Sequence, residues 1–179
     1  MWLFTLLYLA GLSALVLQGA ISTIVPPPWS PDLGLLVVIS IALRWQTMAP
    51  GLLLASMLGL SADVLSASLT GQHLLLRAAV FAAVFLVSRQ LNLKGTLPLL
   101  VLVAAASFLH GVAVYLFAAL FGGHGVAAYP WLIENLFHAL VNSLIVPGVF
   151  SAVSWLAIRA GADDHEERAL QIEASRSSM

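Results

Sequence analysis

The sequence predicts an all-α integral membrane protein, a six-helix transmembrane bundle, and three observations carry that prediction. Hydrophobic residues make up 61% of the 179 and charged residues 8%, against about 25% charged in an ordinary soluble domain. Seven residues are basic and eight acidic, and eight of these lie between Arg159 and Met179. The first 158 positions therefore hold seven charges: Asp32, Arg44, Asp63, Arg77, Arg89, Lys94 and Glu134. The apolar runs do not alternate with polar residues as barrel strands do, so helices are the remaining way to cross a bilayer.

The elements follow from the breaks between runs. Trp2 to Val25 is apolar, longer than the roughly 7–15 residues of a signal core, with no Lys or Arg before it. It reads as a retained first span. Pro26-Pro27-Pro28 ends it in a stiff extended segment. Ser30-Pro31-Asp32 then has the chemistry of a helix start, with a capping hydroxyl, an early proline and an acid near the positive end of the helix dipole. The second segment, Trp29 to Trp45, is about 25 Å of helix against a hydrocarbon core of roughly 30 Å. It is expected to span, with a re-entrant segment as the other reading. The third span opens at Thr47 to Pro50 and reaches about Ser66. Thr70-Gly71 begins a fourth, ending near Arg89. Gly95 to Pro98 opens a fifth, which stops at Gly122-Gly123, and Tyr129-Pro130 opens a sixth, ending by Arg159. The chain thus divides into a transmembrane domain over 1–160 and a polar tail over 161–179. That tail is either solvated or a docking helix.

Charge placement gives an orientation. With six spans, Arg44, Arg89, Lys94, Arg159 and Arg168 fall on one side, while loops 26–31, 67–71 and 122–130 contain no Lys or Arg. The positive-inside rule then puts both termini in the cytoplasm. Trp2, Trp29, Trp45, Trp131 and Trp155 all fall near span ends, as an interfacial aromatic belt requires. A net charge of −1 offers no field for nucleic acid. The chain has no cysteine, so there is no disulfide, thiolate metal site or thiol nucleophile.

Two polar groups fall inside the spans. Gly51, Ala55, Gly59 and Asp63 recur every fourth residue on the third, a groove of small residues ending in a carboxylate. Arg77, two turns into the fourth span, is the expected partner of Asp63, as a structural ion pair or as part of a ligand or partner site. On the sixth span Glu134, Asn135, His138 and Asn142 share a face, followed by Pro147, which removes a backbone donor. His110, with Ser107 and Tyr115 on the fifth span, is expected to face that stripe. Hydrogen bonds between helices account for such residues without further chemistry. His110, His138 and Glu134 offer ligand types, but no close-spaced metal motif, nucleophile elbow or phosphate loop joins them. No enzyme activity, cofactor or metal is expected.

The segment from Pro31 to Arg77, with its Gly59-x-x-x-Asp63-x-x-Ser66-x-x-x-x-Gly71 stretch, and Asn142 to Pro147 in the last span resemble the MreD family. These are small membrane subunits of the bacterial cell-elongation machinery. The resemblance covers nearly the whole hydrophobic region. It implies a non-enzymatic protein of the bacterial cytoplasmic membrane with a fold similar to the S-components of energy-coupling-factor transporters. It implies as partners the single-span protein MreC, the actin-like MreB, the polymerase RodA and a class B penicillin-binding transpeptidase. Asp63, Ser66, Gly71, Asn142 and Pro147 then match motif positions that determine fold or interface, and the third-span groove would receive a partner helix such as that of MreC. The alternative is a substrate-binding subunit of a vitamin-type transporter, with Asp63, His110, Glu134, His138 and Asn142 lining a pocket.

Overall fold

The computed structural model describes residues 2–66, 71–90, 95–121 and 128–160. The expected helix start at Thr70, the basic Lys94, the Gly122-Gly123 stop and the 161–179 tail lie outside them. The described residues form six helices: α1 (Trp2–Ser22), α2 (Leu33–Arg44), α3 (Met48–Ser66), α4 (Gln72–Gln90), α5 (Thr96–Phe121) and α6 (Ala128–Arg159). All except α2 are long and apolar enough to cross a membrane, which makes the chain a multi-pass helical membrane protein.

The second segment departs from the expected Trp29–Trp45 span. Helix α2 has 12 residues, about 18 Å of rise, too short by itself for a hydrocarbon core of roughly 30 Å. Every residue from Leu33 to Ala42 is buried, and the other five helices all pack around it. A helix apolar on every face is either a core helix or a membrane span, and burial on every side makes this one a core helix. Leu36, Val38, Ile39 and Ala42 are at or below 1% exposure, which no lipid-facing span would show. The chain therefore builds its core around a short central helix, with five longer ones as the wall. Asp32 closes its start by accepting a hydrogen bond from the Leu35 N–H at 2.8 Å. At its other end the Trp45 N–H donates to the Ile41 carbonyl, and extended backbone follows. Arg89, in the last turn of α4, donates to the Trp45 carbonyl at 2.6 Å and ties that end down.

Helices α3 and α4 form the tightest pair, and the small-residue face of α3 is what permits it. A Cβ on Gly59 would lie 2.5 Å from the His73 carbonyl oxygen and 2.6 Å from the Leu74 Cα. Backbone meets backbone there. One turn and two turns earlier, Ala55 is 1% exposed and Gly51 lies against the Phe81 ring. The groove expected to receive a partner helix is filled by α4 of the same chain. Gly71, just before α4, has φ +94°, a left-handed conformation for which glycine is the ordinary choice.

Helices α5 and α6 pair through polar as well as apolar contacts. Asn135 donates to the Phe108 carbonyl at 3.0 Å, and Ser143 donates to the Leu100 carbonyl at 2.8 Å. Tyr115 stacks on Trp131 with ring centroids 4.3 Å apart. Pro147 does not interrupt α6, and Ser151 donates back to the Pro147 carbonyl at 2.7 Å.

Gly59→Ala is expected to lower stability by about 1–3 kcal/mol, the usual cost of overpacking a close contact. Gly19→Ala, on an open face of α1 with nothing within 4 Å, should be neutral or raise it by a few tenths. Thermal unfolding of both purified variants in detergent micelles tests the pair. Equal midpoints would remove the close α3–α4 approach as a source of stability.

Candidate functional site

The polar residues of the core gather at the start of α2. Asp32 is 9% exposed and Arg77 2%, and Arg77 Nη2 reaches Asp32 Oδ1 at 3.1 Å. The other terminal nitrogen of the guanidinium, Nη1, donates to the Leu58 carbonyl on α3 at 3.4 Å. Asn142, fully buried on α6, accepts the Asp32 backbone N–H at 2.9 Å and donates to Ser107 Oγ on α5 at 3.3 Å. Gln18 of α1 accepts the Gly34 N–H at 3.1 Å. Four of the five long helices thus bond to the first turn of α2 or to its ion pair, and α5 joins them through the Ser107–Asn142 bond.

Local sequence explains the geometry. An α-helix begins with backbone N–H groups that have no partner within it. Here the Asp32 side chain takes the Leu35 donor and Gln18 takes the Gly34 donor. The carboxylate, already placed at the positive end of the helix dipole, also receives Arg77. Gly34 gives that guanidinium room, since a Cβ there would stand 2.7 and 2.9 Å from its terminal nitrogens.

The expected partner of Arg77 was Asp63, and the structure places Asp63 in another role. Its carboxylate accepts the backbone N–H groups of Gly71, His73 and Leu74 at 2.9, 2.8 and 3.2 Å. It caps α4 from the neighbouring helix, and charge-assisted bonds to a helix start account for its burial. The sixth-span stripe also divides. Asn135 and Asn142 are buried and bonded, His138 is half-buried, and Glu134 is exposed. His110 is buried beside His73 of α4, with ring centroids 6.2 Å apart. Ser66 is exposed at the end of α3, where its hydroxyl donates to the Ala62 carbonyl.

Sequence reasoning did not single out Asp32, Gln18 or His73 as site residues. For Asp32 a signal existed. Only two acids precede Glu134, Asp32 and Asp63, so a buried Arg77 has just two carboxylates within the first four helices. Among the described residues no three His, Asp or Glu side chains gather as metal ligands. The arrangement is a charged, hydrogen-bonded crosslink between helices. It defines a helical membrane bundle organised around an internal polar hub. No family model, curated protein or solved structure matches the chain.

Arg77→Met is expected to cost about 3–5 kcal/mol, because it strands a buried carboxylate. Adding Asp32→Asn should recover most of that loss, since asparagine keeps a capping oxygen without the charge. Unfolding of both variants by SDS titration from mixed micelles measures the difference. A double variant no more stable than the single one would show that charge pairing is not what the hub contributes.

Proposed function

We propose that the chain is a non-enzymatic assembly subunit of the MreD type, acting in the bacterial cytoplasmic membrane. In this reading it links MreB filaments and an MreC-like single-span protein to a RodA-type polymerase and a class B transpeptidase, and so maintains rod shape. The observation that carries the proposal is the internal commitment of its polar groups. Asp32, Arg77, Asn142 and Ser107 bond to one another, Asp63 caps α4, and Asn135 ties α5 to α6. A transporter subunit would need Asp63, His110, Glu134, His138 and Asn142 to line a pocket, whereas Asp63 and Asn142 are taken up by bonds within the chain. The outward faces offer apolar side chains instead, among them Leu9, Val16, Leu116 and Leu144. These are surfaces for lipid and for other membrane helices.

Orientation has a structural counterpart. Arg44, Arg89 and Arg159 close the last turns of α2, α4 and α6, and the Arg89 bond to Trp45 holds two of these ends together. A common basic end supports a cytoplasmic position for the C-terminal end of α6 under the positive-inside rule, and the proposal puts the N-terminus on the same side. With the α3 groove occupied by α4, the partner helix is assigned to the outward faces of the other helices.

Depletion of the protein in its own host should convert rods to spheres over several generations and end in lysis, scored by microscopy. Normal rods that require a nutrient at raised concentration would overturn the assembly role in favour of transport.

A further inference from the structure

Helices α5 and α6 outreach the rest of the wall at one end, and the hub gives the level from which to measure it. From Gln18 to the end of α1 at Ser22 is about 6 Å of helix, and from Arg77 back to the start of α4 at Gln72 about 8 Å. From Leu58 to the end of α3 at Ser66 is about 12 Å. From Ser107 to the end of α5 at Phe121, and from Asn142 back to the start of α6 at Ala128, it is about 21 Å. The segment before α2 meets α6 low on this stretch, where the Trp29 ring lies against Phe137. The two long helices are held as one unit by the stack of Tyr115 on Trp131. One turn before Tyr115, a Cβ on Gly111 would overlap the Asn135 amide.

Depth in the bilayer follows from the same levels. Trp45 and the last-turn residues Arg44 and Arg89 mark one hydrocarbon boundary, about 18 Å of helix from Asp32 and Arg77. A hydrocarbon core of roughly 30 Å then ends about 12 Å beyond the hub on the other side. Tyr115 and Glu134 fall at that level, where interfacial aromatics and a charge belong. Leu120, Phe121 and Tyr129 stand about 8 Å further out, past the reach of acyl chains, and each is at least 66% exposed. Lipid tails cannot cover them.

Charge selects the occupant. Glu134 is exposed at the base of this projection. Among the described residues Arg77 is the one Lys or Arg in this half of the bundle, and it is buried against Asp32. A second copy of the chain would bring the same acid and the same lack of a cation. An apolar patch rimmed by charge is the make-up of a site for another protein.

We infer that the α5–α6 projection docks the extramembranous domain of a second protein, whose apolar cleft takes Leu120, Phe121 and Tyr129 and whose Lys or Arg pairs with Glu134. The inference rests on the assembly reading only for expecting a protein partner, and its test is read separately from cell shape.

The chain has no cysteine, so single-cysteine variants report one position each. Leu120→Cys, Tyr129→Cys and, as a lipid-facing control, Leu53→Cys are treated with a membrane-impermeant maleimide. In nanodiscs holding one purified full-length chain, the first two should label and the control should not. Two unlabelled tip variants would place the projection in lipid and overturn the inference. In open membranes of the host, labelling of the tip should fall at least about tenfold, as at the water-excluding centre of an interface. Adding Glu134→Lys should restore it, because like charges then meet. Labelling in host membranes at the nanodisc rate would show a solvated tip and overturn the docking, as would protection unmoved by Glu134→Lys. Equal protection in nanodiscs holding two chains would assign the tip to a second copy and overturn it too. Benzoylphenylalanine in place of Leu120 then crosslinks the partner on irradiation. The adduct should map to an extramembranous domain, and changing the Lys or Arg nearest the mapped position to Glu should return protection to the Glu134→Lys variant. An adduct on a membrane-spanning helix would overturn the inference.

Discussion

The bond between Arg77 and Asp32 is the constraint to which the rest of the bundle answers. A guanidinium cannot be stripped of water without a carboxylate and further acceptors, and here it has Asp32 and the Leu58 carbonyl. That requirement places α4 against both α2 and α3. The same carboxylate caps α2, and its own backbone N–H reaches Asn142, so α6 is brought to the same point and α5 follows through Ser107. One ion pair therefore fixes the depth at which α2 starts. The position of α2 in turn sets which faces of the outer helices are buried.

Much of the architecture was legible in sequence because helix ends are chemically marked. Ser30-Pro31-Asp32, Gly95 and Tyr129-Pro130 each sit at or next to an observed boundary, and the proline run falls between α1 and α2, four residues past Ser22. The central place of α2 was less so. Composition recorded that Leu33 to Ala42 is apolar on every side, which suits either a lipid-facing span or a core helix, and only packing decides between them. Pairing was the least legible. Arg77 and Asp63 are close in sequence across a short turn, and proximity along the chain made Asp63 the natural partner. Asp32 is 45 residues from Arg77, and no local periodicity encodes such a register. Likewise the four-residue spacing of Glu134 and His138 gives a shared face of α6 without saying which neighbour that face meets.

The polar residues and the apolar ones have exchanged the roles they hold in a soluble enzyme. Inside this bundle the charged and amide side chains hold the architecture together, while the outer surface is hydrocarbon. Interaction with lipid or with other proteins then depends on shape and on small residues at helix crossings, and less on exposed chemistry. Glu134 departs from this pattern as a carboxylate exposed in the second turn of α6.

The shortness of α2 has a consequence for how the chain is made. It leaves the ribosome directly after α1, yet the residue that takes the Asp32 backbone donor comes 110 positions later. Insertion machinery reads long apolar stretches, and a helix of 12 residues has no stable seat in lipid by itself. Its proper lodging exists only once Arg77 and then Asn142 have been synthesised. The sixth helix therefore completes the environment of the second, and α2 reaches its native setting only after α6 has been made.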